Sequence, residues 1–246
     1  HTDSIWGKVL GGAAGLMMGG PLGALLGGIA GHAYDRIKSD QNDSEEPGLA
    51  KQTTFAIGVI VLSAKMAKAD GTVTRDEVEA FKEIFHIPPD EIKNVGRVFD
   101  QARKDSQGFE PYAKQIAKLF RDNPAVLEEL LGGLFHIARA DGVAHPNEIE
   151  FLKKCSDIFS FDEATFDRMR VAHMGAAMDD PYAILGVTRD MSDAEVRKAW
   201  RNLAREHHPD TLIAQGMPED FVEIATEKIA TINAAYDEIS KQRGMK

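Results

Sequence analysis

Residues 181–210 read PYAILGVTRDMSDAEVRKAWRNLAREHHPD, a short apolar segment closed by a glycine and followed by a longer amphipathic stretch. Ser192 and Glu195 have the spacing of a capping box, which predicts that a helix begins at this point. The helix is expected to end near His207, because a proline disfavours the helical conformation of the residue that precedes it. The His-Pro-Asp tripeptide at 208–210 is therefore predicted to lie in a loop at the end of this helix, and the loop is expected to continue through Gly216.

The predicted helix has two distinct faces. One face carries larger side chains at helical spacing, at Val196, Trp200, Leu203 and His207. The other face is basic, with positive charges at Arg197, Lys198, Arg201 and Arg205. A second long helix is predicted from about Pro218 to Gln242, and its inner face carries Phe221, Ala225, Ile229, Ile232, Tyr236 and Ile239. The two helices are expected to pack against each other as an antiparallel hairpin, with His207 inside it.

The middle of the chain contains an internal repeat of helix, short turn and helix. The segment Ala67–Gly71 matches Ala138–Gly142 at an offset of 71 residues, and each copy contains an Asp-Gly turn. The two glycines suit the left-handed conformation that ends a helix. Thr74 and Glu77 have the spacing of a capping box for the next helix. The apolar run at 55–62 is too short to cross a bilayer and predicts a buried core helix. Two such helical hairpins are expected to form a small bundle.

The N-terminal region is apolar and rich in glycine. No charged residue lies between Lys8 and Asp35, and glycine recurs with a period of four from Gly7 to Gly31. A helix with this period aligns its glycines on one stripe, which lets two membrane helices approach closely. The predicted packing stripe consists of Gly11, Gly15, Gly19, Gly23 and Gly27. A transmembrane helix that forms a homodimer is the favoured interpretation; a flexible apolar leader, a secretory signal and a re-entrant hairpin bent at 19–21 are the alternatives.

Composition excludes several classes of function. The chain has 246 residues and a formal net charge of −10, which disfavours general nucleic-acid binding because phosphate contacts need clustered Lys and Arg. The single cysteine, Cys155, allows no internal disulfide. We find no arrangement of nucleophile and base and no metal-ligand spacing around residues 207–210. A hydrolase is therefore disfavoured.

Two segments resemble known domains. Residues 180–242 resemble a J domain throughout, from the Tyr-x-Ile-Leu-Gly start and the basic helix to the His-Pro-Asp loop and the Ala-Ala-Tyr-Asp of the last helix. One departure is Thr211, where many members have a lysine. Residues 52–170 resemble the TerB-like domain, on the basis of the duplicated Ala-Asp-Gly turns. The combination with a glycine-rich N-terminal span resembles the DjlA family, the membrane-anchored DnaJ-like proteins of Gram-negative bacteria.

The resemblance implies a co-chaperone that stimulates ATP hydrolysis by a DnaK-type chaperone, is not itself an enzyme and needs no cofactor. In this family, His208, Pro209 and Asp210 would activate the chaperone, and the basic face would dock on it. Because that partner is cytosolic, we expect a single-pass protein of the bacterial inner membrane whose C-terminal domains face the cytoplasm. The expected all-α organisation is a membrane anchor at 1–37, a linker at 38–51, a TerB-like helical bundle at 52–175 and a J domain at 180–246.

The TerB-like resemblance leaves a second function open. Some members are associated with metal binding at acidic turns, for which the candidates here are Asp70, Glu77, Asp141 and Glu148. A structural role for these residues is favoured, because Asp-Gly is turn chemistry and an EF-hand loop needs more alternating oxygen ligands. In the alternative function, the middle domain senses envelope stress or metal, and the J domain recruits the chaperone as the output.

Overall fold

The computed structural model describes residues 5–6, 19–30, 47–142, 144–173 and 180–246. Within these ranges the regular structure is helical, without a β-strand, which confirms the predicted all-α fold class. The helices in chain order are α1 (Gly20–Ala30), α2 (Pro47–Asp70), α3 (Arg75–Ile84), α4 (Ile92–Lys104), α5 (Glu110–Leu119), α6 (Pro124–Ala138), α7 (Pro146–Ile158), α8 (Glu163–His173), α9 (Pro181–Leu185), α10 (Asp193–Glu206), α11 (Pro209–Ala214) and α12 (Val222–Arg243).

Helix α2 is the central element of the middle domain, by which we mean α2 to α8. It packs against α4, α5, α6 and α7, and the run at 55–62 is fully buried, as predicted for a core helix. The helix begins at Pro47, so it includes five residues that the sequence places in the linker. Proline is favoured in the first turn of a helix, where its missing N–H leaves no bond unmade.

The two repeated turns adopt the predicted conformation. Gly71 and Gly142 have φ angles of +88° and +93°, in the left-handed region that glycine enters without strain. Helix α3 begins with the predicted capping box, since the Glu77 N–H donates to Thr74 Oγ1 and the Thr74 N–H donates to the Glu77 carboxylate. In the second copy, the His145 N–H donates to the Glu148 carboxylate at 2.9 Å. The repeat therefore builds two similar helix junctions.

The C-terminal domain, α9 to α12, has its own small core. Helix α12 packs against α9 and α10, and the buried residues include Tyr182, Val196 and Ile239. Trp200 stacks on Tyr236 with ring centroids 4.1 Å apart. The predicted antiparallel hairpin of α10 and α12 is thus present. The predicted loop through Gly216 differs, because Pro209 starts the additional short helix α11 in its first turn.

Two residues expected on the inner face of this hairpin pack elsewhere. Phe221 and Ala225 belong to the core of the middle domain, whereas Ile232 and Ile239 lie in the core of the C-terminal domain. Phe221 has its ring centroid 4.8 Å from that of Phe55 and 4.9 Å from that of Phe85. Phe221, directly before α12, and the first turn of α12 thereby join the two domains, which the hairpin alone does not require.

The described N-terminal residues also contact the middle domain. Helix α1 packs against α4 and α5 through side chains that include the buried Leu22, Leu25 and Leu26. Trp6 is fully buried, and its indole N–H donates to the backbone carbonyl of Phe85 at 2.7 Å. Among the residues described, no helix has both the length and the apolar character that crossing a membrane requires.

Candidate functional site

The His-Pro-Asp loop lies at the exposed junction of α10 and α11. Helix α10 ends at Glu206, and His208 occupies the position that caps α11, where its Nδ1 accepts a hydrogen bond from the Asp210 N–H at 3.2 Å. The side chains of His208 and Asp210 are 56% and 91% exposed. The loop is therefore held in one local conformation while both polar side chains remain accessible to a partner.

The basic face of α10 differs along its length. Lys198, Arg201 and Arg205 are exposed, and none of them pairs with a carboxylate in the part of the chain that the structure describes. Arg197 is half-buried, and its guanidinium donates to the Tyr236 hydroxyl at 3.4 Å and to the Lys246 carbonyl at 3.2 Å. Three of the four predicted basic residues thus present uncompensated charge beside the loop, while the fourth also packs within its own domain.

His207 lies in a different place from the one predicted. It is 1% exposed, but it contacts the middle domain instead of the interior of the hairpin. Its Nδ1 lies 2.9 Å from Glu129 Oε1 and its Nε2 lies 3.3 Å from Glu128 Oε2, both on α6. Because His207 lies at the C-terminal end of α10, its side chain can reach a neighbouring domain as well as the second long helix.

Two further cations complete what we call the interface cluster, which consists of Glu128, Glu129, Arg168, His207 and Lys228. Lys228 Nζ, on α12, lies 3.0 Å from Glu128 Oε1 and 3.3 Å from Glu129 Oε1, and Arg168 of α8 binds Glu128. Burial acts to raise the pKa of both carboxyls, but Lys228 and His207 hold the pKa of Glu129 below its usual value and that of Glu128 well below it. The cluster therefore contains two ionised carboxylates.

Sequence reasoning missed this cluster, although α6 carries a signal for it. The helix reads PAVLEELLGGLFHIA, and its adjacent glutamates are the only acidic residues in it. Buried carboxylates are rarely found without a cation. Two glutamates in a helix whose other residues, apart from His136, are apolar or glycine therefore predict a basic partner. The sequence alone does not say that the partner belongs to another domain.

The two copies of the repeat bring a pair of glutamates close together, one from each copy. Glu77 and Glu148 are 5% and 2% exposed, and they lie close enough together for each carboxyl to affect the pKa of the other. Burial raises the pKa of both carboxyls, and together with the nearby carboxyls it raises the pKa of Glu148 to about 7. Among the described residues, no three His, Cys, Asp or Glu side chains form a group that could hold a metal ion. The metal-responsive alternative stays a prediction, which calorimetry with divalent metals on the whole chain can test.

The glycine stripe is described only in part. Gly11 and Gly15 lie outside the described residues. At Gly19 and Gly27 an added Cβ would meet no described atom within 4 Å, whereas at Gly20 it would lie 2.9 Å from the Gln115 side chain. Gly19 nevertheless contacts the middle domain through its backbone, because its carbonyl accepts a hydrogen bond from the Gln115 side-chain amide at 2.6 Å. Self-association through the stripe stays a prediction.

Three family models match the chain. Residues 180–244 match the DnaJ domain, residues 56–171 match tellurite resistance protein TerB, and residues 4–52 match the transmembrane domain of the co-chaperone DjlA. The predicted resemblances to a J domain, a TerB-like domain and a DjlA-like anchor are thereby confirmed.

Relatives match over nearly the whole chain. Co-chaperone protein DjlA of Shewanella oneidensis is 34% identical over 98% of this chain and 99% of its own length. The proteins of that name from Photobacterium profundum and Escherichia coli K12 are 30% and 26% identical, also over 98% of this chain and over 100% and 99% of their own lengths. No solved structure matches the chain.

Proposed function

The chain belongs to the DjlA family of DnaJ-like co-chaperones, and we propose that it stimulates ATP hydrolysis by a DnaK-type chaperone through residues 208–210. The observation that carries the proposal is the exposed His-Pro-Asp loop beside three cations without a partner in the described chain. The chemistry takes place on the chaperone, so this chain supplies contacts and no catalytic group of its own.

The two parts of the site have different tasks in this mechanism. Lys198, Arg201 and Arg205 meet an acidic surface of the chaperone, and such charge complementarity sets orientation and association rate more than affinity. His208 and Asp210 then contact the chaperone preferentially in its hydrolysis-competent state. A ligand shifts a conformational equilibrium only through such a difference in contacts, which is why the loop has to be both exposed and locally ordered.

The test is a His208→Gln variant in a purified assay of chaperone ATPase activity. Stimulation should be lost while circular dichroism and melting temperature stay unchanged, because His208 is mostly exposed and supports no core packing. His145→Gln is the matched control, since that histidine is also about half exposed and lies in the middle domain. Undiminished stimulation by His208→Gln would refute the proposed role of the loop.

We also propose that the N-terminal segment anchors the protein in the bacterial inner membrane, with a single span and both C-terminal domains in the cytoplasm. The match of residues 4–52 to a transmembrane-domain model supports the anchor, and the cytosolic location of DnaK-type chaperones supports the orientation. Protease added to intact spheroplasts should leave the C-terminal domain uncut. Digestion of that domain in intact spheroplasts would exclude this orientation, provided that a cytoplasmic marker protein survives.

A further inference from the structure

The residues on both sides of the His-Pro-Asp loop are held by the middle domain. His207, directly before the loop, is buried against Glu128 and Glu129 of α6. After the loop, Gly216 approaches α2 so closely that an added Cβ would lie 2.7 Å from the Lys51 Cβ. Contacts with another domain thus lie at both ends of the eight-residue segment 208–215, which includes the loop and α11.

The contacts on the two sides of the loop differ in kind, because one side is held by charged groups and the other by apolar packing. On the charged side, both imidazole nitrogens of His207 have a carboxylate partner, which fixes the ring in position and orientation. On the apolar side, Leu212, Met217 and Phe221 all belong to the buried core of the middle domain. Each side chain of the interface cluster has an oppositely charged neighbour, although Glu129 Oε2 itself has no hydrogen-bond partner among the described residues. The aromatic contacts of Phe221 add a packed surface beside the cluster.

The contact leaves the activating residues uncovered. The His208 and Asp210 side chains remain 56% and 91% exposed, although their neighbour His207 is 1% exposed. An inhibitory contact would cover the loop or the basic face, and this one covers neither. The docked arrangement therefore holds the loop in place and keeps it available.

We propose that the middle domain is a positioning partner of the His-Pro-Asp loop, with Glu128 and Glu129 acting through His207. Neither glutamate touches the chaperone; they fix the end of α10 and thereby the direction in which His208 and Asp210 point. This inference rests on the proposed function of the loop. It adds that stimulation by this chain depends on a residue in a different domain from the loop.

The test uses two variants of the full chain, one on each side of the contact. His207→Leu removes both carboxylate contacts from the loop side. Glu129→Gln removes one charge from the other domain while keeping the shape of the side chain. Glu150→Gln is the matched control, because Glu150 lies on exposed surface of the middle domain and pairs with Lys154. Three properties are measured: chaperone ATPase rate against co-chaperone concentration, hydrogen exchange of the amides at 208–214, and melting temperature.

A positioning role predicts that some of these measurements change while others stay the same. The maximal stimulated rate should fall about tenfold in His207→Leu and less in Glu129→Gln. The reason is that a small displacement of His208 and Asp210 strongly weakens their contacts with the hydrolysis-competent state of the chaperone. The concentration for half-maximal stimulation should stay unchanged, since the basic face is intact. Exchange should rise at 208–214 and not in α2, whereas a general loss of stability would raise exchange in both regions.

Each other outcome has a definite meaning. An unchanged maximal rate in both variants, or faster exchange of the loop with undiminished stimulation, would overturn the positioning role. If His207→Leu fails to fold, Glu129→Gln decides, because its substitution preserves volume. If the unmodified chain itself gives no stimulation, the proposed function fails instead, which separates that failure from a failure of this inference.

Discussion

The middle domain buries two pairs of glutamates to a similar degree, yet the pKa values of the two pairs are shifted in opposite directions. Glu77 and Glu148 are 5% and 2% exposed, and Glu128 and Glu129 are 5% and 3% exposed. Burial and neighbouring carboxyls raise the pKa of the first pair, whereas cations lower the pKa of the second pair despite burial. Burial alone therefore does not determine whether a carboxyl is ionised, because the charge of its nearest neighbours can shift its pKa more than burial does.

The partners of the two pairs also come from different places. Glu77 and Glu148 have each other, contributed by the two copies of the repeat. Glu128 and Glu129 have Lys228 and His207, which belong to the C-terminal domain. The first pair thus lies entirely within the middle domain. The second pair has one cation from the middle domain, Arg168, and gains Lys228 and His207 only when the two domains are in contact.

The largest expected effect is the loss of Lys228. Lys228→Met leaves two buried carboxylates with fewer cations, and the free energy of unfolding should fall by about 3 kcal/mol. Urea denaturation near neutral pH measures the change. Lys154→Met, at an exposed lysine paired with Glu150, should change the same quantity by less than about 0.5 kcal/mol. Equal effects of the two substitutions would remove the distinction between the interface cluster and a surface ion pair.

A smaller, pH-dependent effect is expected at Glu148. Its pKa is raised from 4.5 to about 7 in the folded chain, so the folded state binds the proton more tightly and stability falls as the pH rises between these values. Glu148→Gln removes this dependence and should stabilise the chain above pH 7 by about 1–2 kcal/mol relative to the unmodified chain. Urea denaturation at several pH values, with Glu150→Gln as the control, tests the sign.

The second pair should respond to acid with the opposite sign. Because the pKa values of Glu128 and Glu129 lie below the ordinary 4.5, their contribution is present above that value and is lost as the pH falls below it. Glu129→Gln should therefore lose stability relative to the unmodified chain at neutral pH, where Glu148→Gln gains it. A common sign for the two substitutions would show that the pairs do not differ in charge.

The smallest effect on stability is expected on the basic face. Arg201 is exposed and has no ion pair in the described chain, so Arg201→Glu should change the free energy of unfolding by less than about 0.5 kcal/mol. The same substitution should weaken association with the chaperone, and the defect should grow at low ionic strength because screening is weaker there. Measuring both quantities at two salt concentrations separates charges that hold the fold from charges that meet a partner. An association defect independent of salt would argue against electrostatic docking.

The features predicted well from the sequence are those that depend on local chemistry. The capping boxes at Ser192 and Thr74, the left-handed glycines of the repeat, the buried run at 55–62 and the end of α10 at His207 each follow from a few neighbouring residues. The His-Pro-Asp loop and its exposure belong to the same class. Short-range sequence patterns specify such features because the interacting groups lie within one or two helical turns.

The features that escaped prediction depend on contacts between distant segments. His207 and Phe221 have the spacing of hairpin residues, and that spacing is equally compatible with packing on another domain. Their partners, Glu129 and Phe55, lie 78 and 166 residues away along the chain. Amphipathic periodicity predicts that a face is buried, but it carries no information about which surface buries it.

The direct contact between α8 and α9 gives the domain interface an additional property. Only the six residues from 174 to 179 separate His173 from Asp180, so the two domains meet as an intramolecular pair. A tether this short sets an effective concentration of about 1 mM or more. At 1 mM, even a contact with an intrinsic dissociation constant of about 10 µM would be occupied about 99% of the time. A ligand that separates the domains would then have to spend about 2.7 kcal/mol of its binding free energy on breaking this contact before it could alter the direction of the loop.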